Sequence, residues 1–379
     1  MAARPALAGE DERRILQRDP NPHLFRPLAL RSVRARNRVM VSPMCQYSAQ
    51  DGMPNDWHFV HLAARAVGGA GIVFTEATHV APEGRITPSC LGRWNDAQRD
   101  ALARVAGFIE AQGAVAAIQL GHAGRKASVA RPWEGTLPLV PGQGGWPIIG
   151  PSALPYAAVS AVPLAMTPAD IDAQLEAFCS AARRAREAGF RILELHAGHG
   201  YLFHQFLSPL SNRREDAWGG ALDNRARLLL DAVRVVRQEW PAELPLFVRL
   251  SMTDWVEGGF NLDEAIAVCR MLAATGLVDL IDCTSGGNDP RQRIPIHPGY
   301  QIPFAERVRR EVGIASAAVG LVSAPEMAEE IIANGRADLV VMGRRLLSDP
   351  YWPLHAARTL QAGNMAWPIQ YERGNIFSG

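Results

Sequence analysis

Short runs of apolar and β-branched residues alternate with longer stretches of helical periodicity along nearly the whole chain. The runs 38–42, 71–75, 115–120, 192–196, 246–251, 280–284, 315–320 and 339–343 predict eight strands. Segments 59–67, 96–112, 168–188, 224–239, 262–274, 304–311 and 324–333 predict the helices between them. Thr167 before Pro168, Asp223, and Ser323 ahead of Pro325 and Glu326 read as helix starts. Gly189, Gly276 and Gly335 fall just past helix ends, where a left-handed cap is needed. The strand runs are continuous and mostly apolar rather than alternating, as strands covered on both faces are. Eight such β-then-α units predict an α/β fold, a single closed (β/α)8 barrel; an open doubly wound sheet is the alternative.

Two stretches fall outside this rhythm. Residues 24–39 alternate polar and apolar around 31–35 and predict a hairpin closing the barrel's N-terminal mouth. Residues 121–167 are rich in proline, glycine and tryptophan with little periodicity, too long for a simple connection. They follow the third strand, so they are expected at the barrel's C-terminal face as a lid. Residues 1–22 are expected to be a flexible arm, leaving 23–379 as the barrel with a tail from 363.

Composition narrows the class. About half of the residues are apolar and a fifth are charged, as in ordinary globular enzymes. No apolar run is long enough to span a bilayer, and a net charge of +1 argues against RNA or DNA as partner. The five cysteines have no paired or zinc-like spacing, which points to a reducing cytoplasm. Of the 39 Lys and Arg residues only Lys126 is lysine, which argues against Schiff-base chemistry.

Barrel enzymes assemble their sites at the C-terminal ends of the strands. Those ends carry Ser42-Pro43-Met44-Cys45, Glu76-Ala77, Gln119, His196, Arg249, Ser285-Gly286-Gly287, Gly320 and Gly343-Arg344. The set has few carboxylates and no metal-ligand cluster. Its planar hydrogen-bonding groups, cation and two late glycine turns suit a planar cofactor with a phosphate tail. Gly320 and Gly343, with Arg344, are either the phosphate cradle or simple tight turns. In His196-x-x-His199-Gly-Tyr201 the two imidazoles can donate to one carbonyl oxygen, with Tyr201 as a general acid. A metal pair and a structural pair are the alternatives. Arg249 can oppose negative charge on a reduced ring, and Gln119 can match a ring edge of carbonyl and N–H groups. Cys45 has no base near it in sequence, and His58 and His61 lie inside the first helix and read as structural.

The chain resembles the old yellow enzyme family of FMN-dependent ene-reductases, in its bacterial, thermophilic-like branch, over roughly residues 23–374. The resemblance rests on Ser-Pro-Met-Cys-Gln-Tyr at 42–47, Gln-Leu-Gly-His-Ala-Gly-Arg-Lys at 119–126 and His-Ala-Gly-His-Gly-Tyr at 196–201. Phe-Leu-Ser-Pro-Leu-Ser-Asn-Arg at 206–213, Gly-Arg-Ala-Asp-Leu at 335–339 and Tyr-Glu-Arg-Gly at 371–374 add to it. It implies that Ser42, Pro43, Met44, Cys45, Ala77, Gln119, Arg249, Gly343 and Arg344 contact FMN, with Gly320 on its phosphate. It implies that His196 and His199 hold the substrate carbonyl, that Tyr201 is the proton donor and that Tyr47 is a second donor on the substrate side. Cys45 would tune the flavin and touch substrate, and Lys126 would stand at the site's rim. NADPH, or NADH, would be the transient reductant of FMN, and an α,β-unsaturated carbonyl compound the acceptor. The branch also implies a homodimer in which Arg373 enters the partner's site. The lid's Trp-Glu-Gly and Gly-Gly-Trp-Pro resemble the xenobiotic-reductase relatives, whereas Tyr-Glu-Arg-Gly resembles the shorter-lidded members. A tRNA-modifying flavin barrel, and a flavin-free barrel acting on a phosphorylated metabolite, are the alternative readings.

Overall fold

The computed structural model describes residues 21–375; the expected arm at 1–22 lies almost wholly outside the described residues. A hairpin comes first, β1 (Leu28–Leu30) paired antiparallel with β2 (Val33–Ala35). Then follow β3 (Val39–Val41), β4 (Ile72–His79), β5 (Val115–Gly121), the short β6 (Ile149–Gly150) and β7 (Leu164–Ala165), and β8 (Ile192–Ala197). The last four are β9 (Leu246–Ser251), β10 (Leu280–Thr284), β11 (Ala315–Ala318) and β12 (Leu339–Met342). Strands β10, β11, β12, β3, β4, β5, β8 and β9 close, in that order, into a parallel barrel. Every residue of β4, β5, β8, β9 and β10 is buried, which accounts for the continuous apolar runs.

The hairpin sits at the N-terminal mouth. Ser32 N–H and Oγ donate to Glu243 O (3.1 and 2.7 Å), and Arg31 bonds Asp279, just ahead of β10. The 121–167 connection is folded rather than loose. It holds 3-10 turns at Gly124–Lys126, Pro132–Glu134 and Pro141–Gln143, and the small parallel pair of β6 with β7.

Three expected boundaries shift for local reasons. The first helix begins at Asp56, because the Asn55 side chain caps it and His58 Nδ1 accepts the Asn55 N–H (3.1 Å). Asp223 lies in the first turn of Leu222–Glu239 and is not its cap, which is Ala221. Ala324 rather than Ser323 precedes Pro325–Ala333. Thr167 does cap Pro168–Glu187, in a reciprocal box with Asp170. The second barrel strand runs four residues past its apolar run to His79, through a register shift between Phe74 and Ala77.

Candidate functional site

The floor of the barrel mouth is built from residues that the register sets side by side. Gln119 pairs with Glu194, His196 with Arg249, Arg249 with Asp282 and Ser251 with Thr284. Gln119 Nε2 donates to Glu194 Oε1 (2.7 Å). Arg249 Nε lies 3.1 Å from Asp282 Oδ2, angled so that the attraction is Coulombic, and its Nη1 donates to Ser42 Oγ (3.1 Å). One guanidinium thus faces two buried carboxyls. Burial pushes Asp282 above the usual carboxylate range, against the pull of Arg249. Burial, then the charge of Asp282, pushes Glu194 up further still. Arg249 favours the ionised form of Asp282, and charge on Asp282 in turn disfavours ionisation of Glu194.

Above this floor, β8 ends in a tight turn that aims three functional side chains. His199 and Gly200 both have left-handed backbone, φ 55° and 72°. A Cβ on Gly200 would lie 2.2 Å from Gly287 O, so glycine is required where the loops after β8 and β10 meet. The rings of His196 and His199 have centroids 5.1 Å apart, and those of His196 and Tyr201 are equally close. Gly198 N–H donates to His196 Nδ1 (3.3 Å), and His199 Nε2 lies 2.9 Å from Thr284 Oγ1. In the tautomers in which Thr284 Oγ1 donates to His199 Nε2 and Gly198 N–H to His196 Nδ1, His196 Nε2 and His199 Nδ1 are left as N–H donors. Burial lowers both imidazoles well below their ordinary range; His199 adds to the effect on His196, and Arg249 acts on both. They are neutral donors, not acids, at pH 7. Tyr201 differs, because burial, and then Cys45 and Tyr47, hold its phenol well above its usual range and so protonated.

A buried dyad backs the turn. Gly200 N–H donates to His204 Nδ1 (2.9 Å), and His204 Nε2 lies 2.9 Å from Asp254 Oδ1. Asp254 Oδ2 in turn accepts from Ser208 Oγ (2.5 Å) and Phe260 N–H (2.8 Å). Beside Tyr201, a small apolar cluster of Ile86, Cys90, Ala123, Ala127 and Ile148 packs against Cys45, Tyr47 and Trp146. Burial, and next the neighbouring Glu76, push the Cys45 thiol well up, so it is a wall and not a thiolate nucleophile.

At the ends of β11 and β12 lies a cavity of about 490 Å³ lined by Tyr300, Gln301, Gly320, Gly343 and Arg344. Gly320 has φ 138°, and a Cβ there would stand 3.2 Å from Gln301 N. A Cβ on Gly343 would lie 3.5 Å from Met44 Sδ and 3.8 Å from Ser42 Cβ, so the 42–44 segment meets the cavity. Ala77 pairs with Gln119 at the strand irregularity and bonds the Cys45 thiol through its backbone. Gly320, Gly343 and Arg344 line this cavity, while Ser42 and Met44 lie beside Gly343, Ser42 meets Arg249, and Ala77 meets Gln119 and Cys45. Arg373 does not join them. It is exposed on the 3-10 turn Ile369–Gly374, in a tail tied to the barrel's other end by Asn364 Nδ2 on Phe25 O (2.7 Å) and Asn37 Nδ2 on Met365 Sδ (3.5 Å).

The expectation of few carboxylates is corrected, since Glu76, Glu194 and Asp282 are all buried at the site. Glu194 precedes His196 by two residues on one strand, so both point inward. A charged residue in an apolar strand, in phase with a candidate, was the available signal. His58 is structural as expected, but its Nε2 lies 3.1 Å from Glu76 Oε1, and Glu76 accepts the Gln46 N–H (2.8 Å) that shapes the Cys45–Tyr47 segment.

A closed (β/α)8 barrel, a glycine-lined cavity at the ends of β11 and β12 and a charged floor of planar hydrogen-bonding groups fit FMN and define a flavin-dependent oxidoreductase. The NADH:flavin oxidoreductase / NADH oxidase family profile matches residues 23–362. NADPH dehydrogenase of Geobacillus thermodenitrificans is 45% identical over 93% of this chain and 99% of its own, and that of Listeria innocua 45% over 92% and 98%. Morphinone reductase superposes with a TM-score of 0.75 at 28% identity, over 89% of this chain and 90% of that one. A 2-naphthoyl-CoA reductase gives 0.81 at 28% over 89% of this chain, which spans about half (52%) of that longer protein. The chain belongs to the NADH:flavin oxidoreductase family, the old yellow enzyme type that its motifs resemble. FMN is its cofactor and a nicotinamide nucleotide its electron source, which removes the flavin-free alternative. Among the described residues no helix is long and apolar enough to cross a membrane.

Proposed function

We propose that the chain is an ene-reductase acting on α,β-unsaturated carbonyl compounds. The observation that carries this reading is the pair of neutral imidazole donors, His196 Nε2 and His199 Nδ1, next to a phenol held protonated. FMN, when bound, supplies the two-electron redox step between NADPH and the activated C=C bond. His196 and His199 donate to the substrate's carbonyl oxygen, which gains negative charge as the bond is reduced. They therefore stabilise the enolate more than the ketone, as acceleration requires. Tyr201 gives its proton to the α-carbon. Ser42–Cys45, Ala77, Gln119, Arg249, Gly343 and Arg344 hold FMN, with Gly320 on its phosphate. Arg249 opposes negative charge on the reduced ring, and Tyr47 and Cys45 form the substrate-side wall.

The purified protein is expected to be yellow, with FMN released on denaturation. Anaerobic reduction by NADPH and by NADH, followed by reoxidation with enones, nitroalkenes and quinones, tests the reading. Reoxidation by quinones alone would leave it without its substrate.

The same reading makes the enzyme a homodimer with Arg373 acting in the partner's site. Its support is the tail itself, anchored away from its own site while an exposed guanidinium stays free to pair elsewhere. Mixing Arg373→Ala chains with His196→Ala/His199→Ala chains should restore activity, because a mixed dimer regains one intact site. Random exchange gives about a quarter of the wild-type sites. Sedimentation as a monomer, or no gain after confirmed subunit exchange, ends this proposal.

A further inference from the structure

Lys126 is the chain's one lysine, and its surroundings are not those of a surface ammonium. It ends the 3-10 turn Gly124–Lys126. Its Nζ donates to His199 O and Gly287 O, at 2.8 Å each. The first carbonyl belongs to the turn that carries Tyr201, the second to the loop after β10, so one ammonium joins two loops. Nζ also lies 5.1 Å from the centre of the Tyr201 ring and 4.7 Å from that of Tyr156, in the lid. Arg125 extends the bracing, donating to Asn288 O (2.6 Å) and to Leu154 O and Pro155 O (3.3 Å each).

We propose that Lys126 is the positioning residue of the proton-transfer step, tying down the His199–Tyr201 turn and opposing the negative charge left on Tyr201. This rests on the ene-reductase reading. In that step the Tyr201 O–H bond breaks as a C–H bond forms at the substrate's α-carbon. The O–H electron pair stays on the phenolate, and water later returns the proton. A cation gains far more beside a phenolate than beside a phenol, so its help falls where charge develops. The need is visible in the surroundings of Tyr201, where burial, Cys45, Tyr47, Cys90 and Tyr156 all disfavour the phenolate.

Every other cation of the chain's Lys and Arg set is arginine; here a compact ammonium with rotatable donors meets both carbonyls and lies near both rings. The titratable groups facing it are Arg125 on its own turn, His199 and Tyr201 on the loop after β8, and Tyr156 in the lid. The nearby Asp289 is engaged bidentately by Arg291 (2.9 and 2.7 Å), and among the described residues no carboxylate pairs with Lys126. Burial, then Arg125, lowers the ammonium to about 8. The cation is therefore present below that pH and lost above it.

Two measurements on the FMN-bound enzyme test this. Isotope-labelled lysine gives a single side-chain resonance, whose titration midpoint is expected near 8; a midpoint near the ordinary value of about 10.4 would overturn the proposal. The Lys126→Met enzyme, reduced with NADPH, is then reoxidised separately by an enone and by a quinone, which needs no proton delivered to carbon. The enone arm should slow about tenfold or more, with a larger solvent isotope effect, while the quinone arm stays within about twofold. The wild-type decline of the enone arm above the lysine midpoint should vanish in the variant. Equal slowing of both arms means a merely structural role, and no slowing of either means none; both results overturn the proposal. Wild-type enzyme that quinones reoxidise and enones do not would instead sink the ene-reductase reading, and this proposal with it.

Discussion

Replacing His196 and His199 together with alanine is expected to slow enone-driven reoxidation by several orders of magnitude while leaving reduction by NADPH within a few-fold of wild type. The asymmetry follows from where the donors act. In the proposed clamp each imidazole presents one N–H to the substrate's oxygen, and removing one donor to a developing oxyanion costs about 2.7–4 kcal/mol. The two act on the same atom, so the double variant should lose less than the sum of the single variants. Neutrality of the rings adds a second expectation. Both are held well below their ordinary range, so the wild-type oxidative half-reaction should show no histidine titration between about pH 6 and 7.5. Anaerobic stopped-flow absorbance of the flavin, followed separately for each half-reaction across pH, checks both points. An oxidative rate in the double variant close to wild type would remove the clamp from the mechanism.

The architecture was legible because burial on both faces leaves a direct trace. Strands such as Leu246–Ser251 and Leu280–Thr284 end where their apolar runs end. The end of β4 was not legible, because Glu76, Thr78 and His79 are polar and yet buried, with Glu76 facing His58 and Thr78 donating to Glu76 O, contacts that periodicity cannot anticipate. The same contrast holds for the site. His196, Arg249, Gln119 and Gly343 stand at the mouth simply because they end parallel strands of one barrel. Which of them touch is set by barrel closure and stagger, and no local pattern encodes that. Gln119 with Glu194, Arg249 with Asp282, and Lys126 reaching across to His199 and Gly287 are all contacts of this kind. His204 with Asp254 shows a further limit. Both read as ordinary polar residues in sequence, and only the fold reveals that they hold the turn between the candidate imidazole and phenol.

Arg249→Leu is expected to lower the unfolding free energy at pH 7 by about 3–5 kcal/mol, apart from any loss of FMN, because it leaves a buried carboxyl without its cation. Arg249 and Asp282 are both buried, and the guanidinium is the group that pulls Asp282 back toward its ordinary range. Without it, Asp282 can stay in the barrel only by taking up a proton. Its folded pKa then lies far above the unfolded value of about 3.9, so the folded variant holds a proton that the unfolded chain does not. The sign follows directly. Stability of the variant is greatest in acid and falls as pH rises, by about 1.4 kcal/mol per unit until the folded pKa is passed. The deficit against wild type should therefore be smaller at pH 5 than at pH 8. Adding Asp282→Leu should recover most of the loss, since removing both charges leaves only a packing change. Urea unfolding of the FMN-stripped proteins at both pH values measures this without the cofactor's own contribution. A deficit that does not change with pH, or a double variant no more stable than Arg249→Leu, would mean that the guanidinium holds the barrel through Ser42 and packing rather than through Asp282.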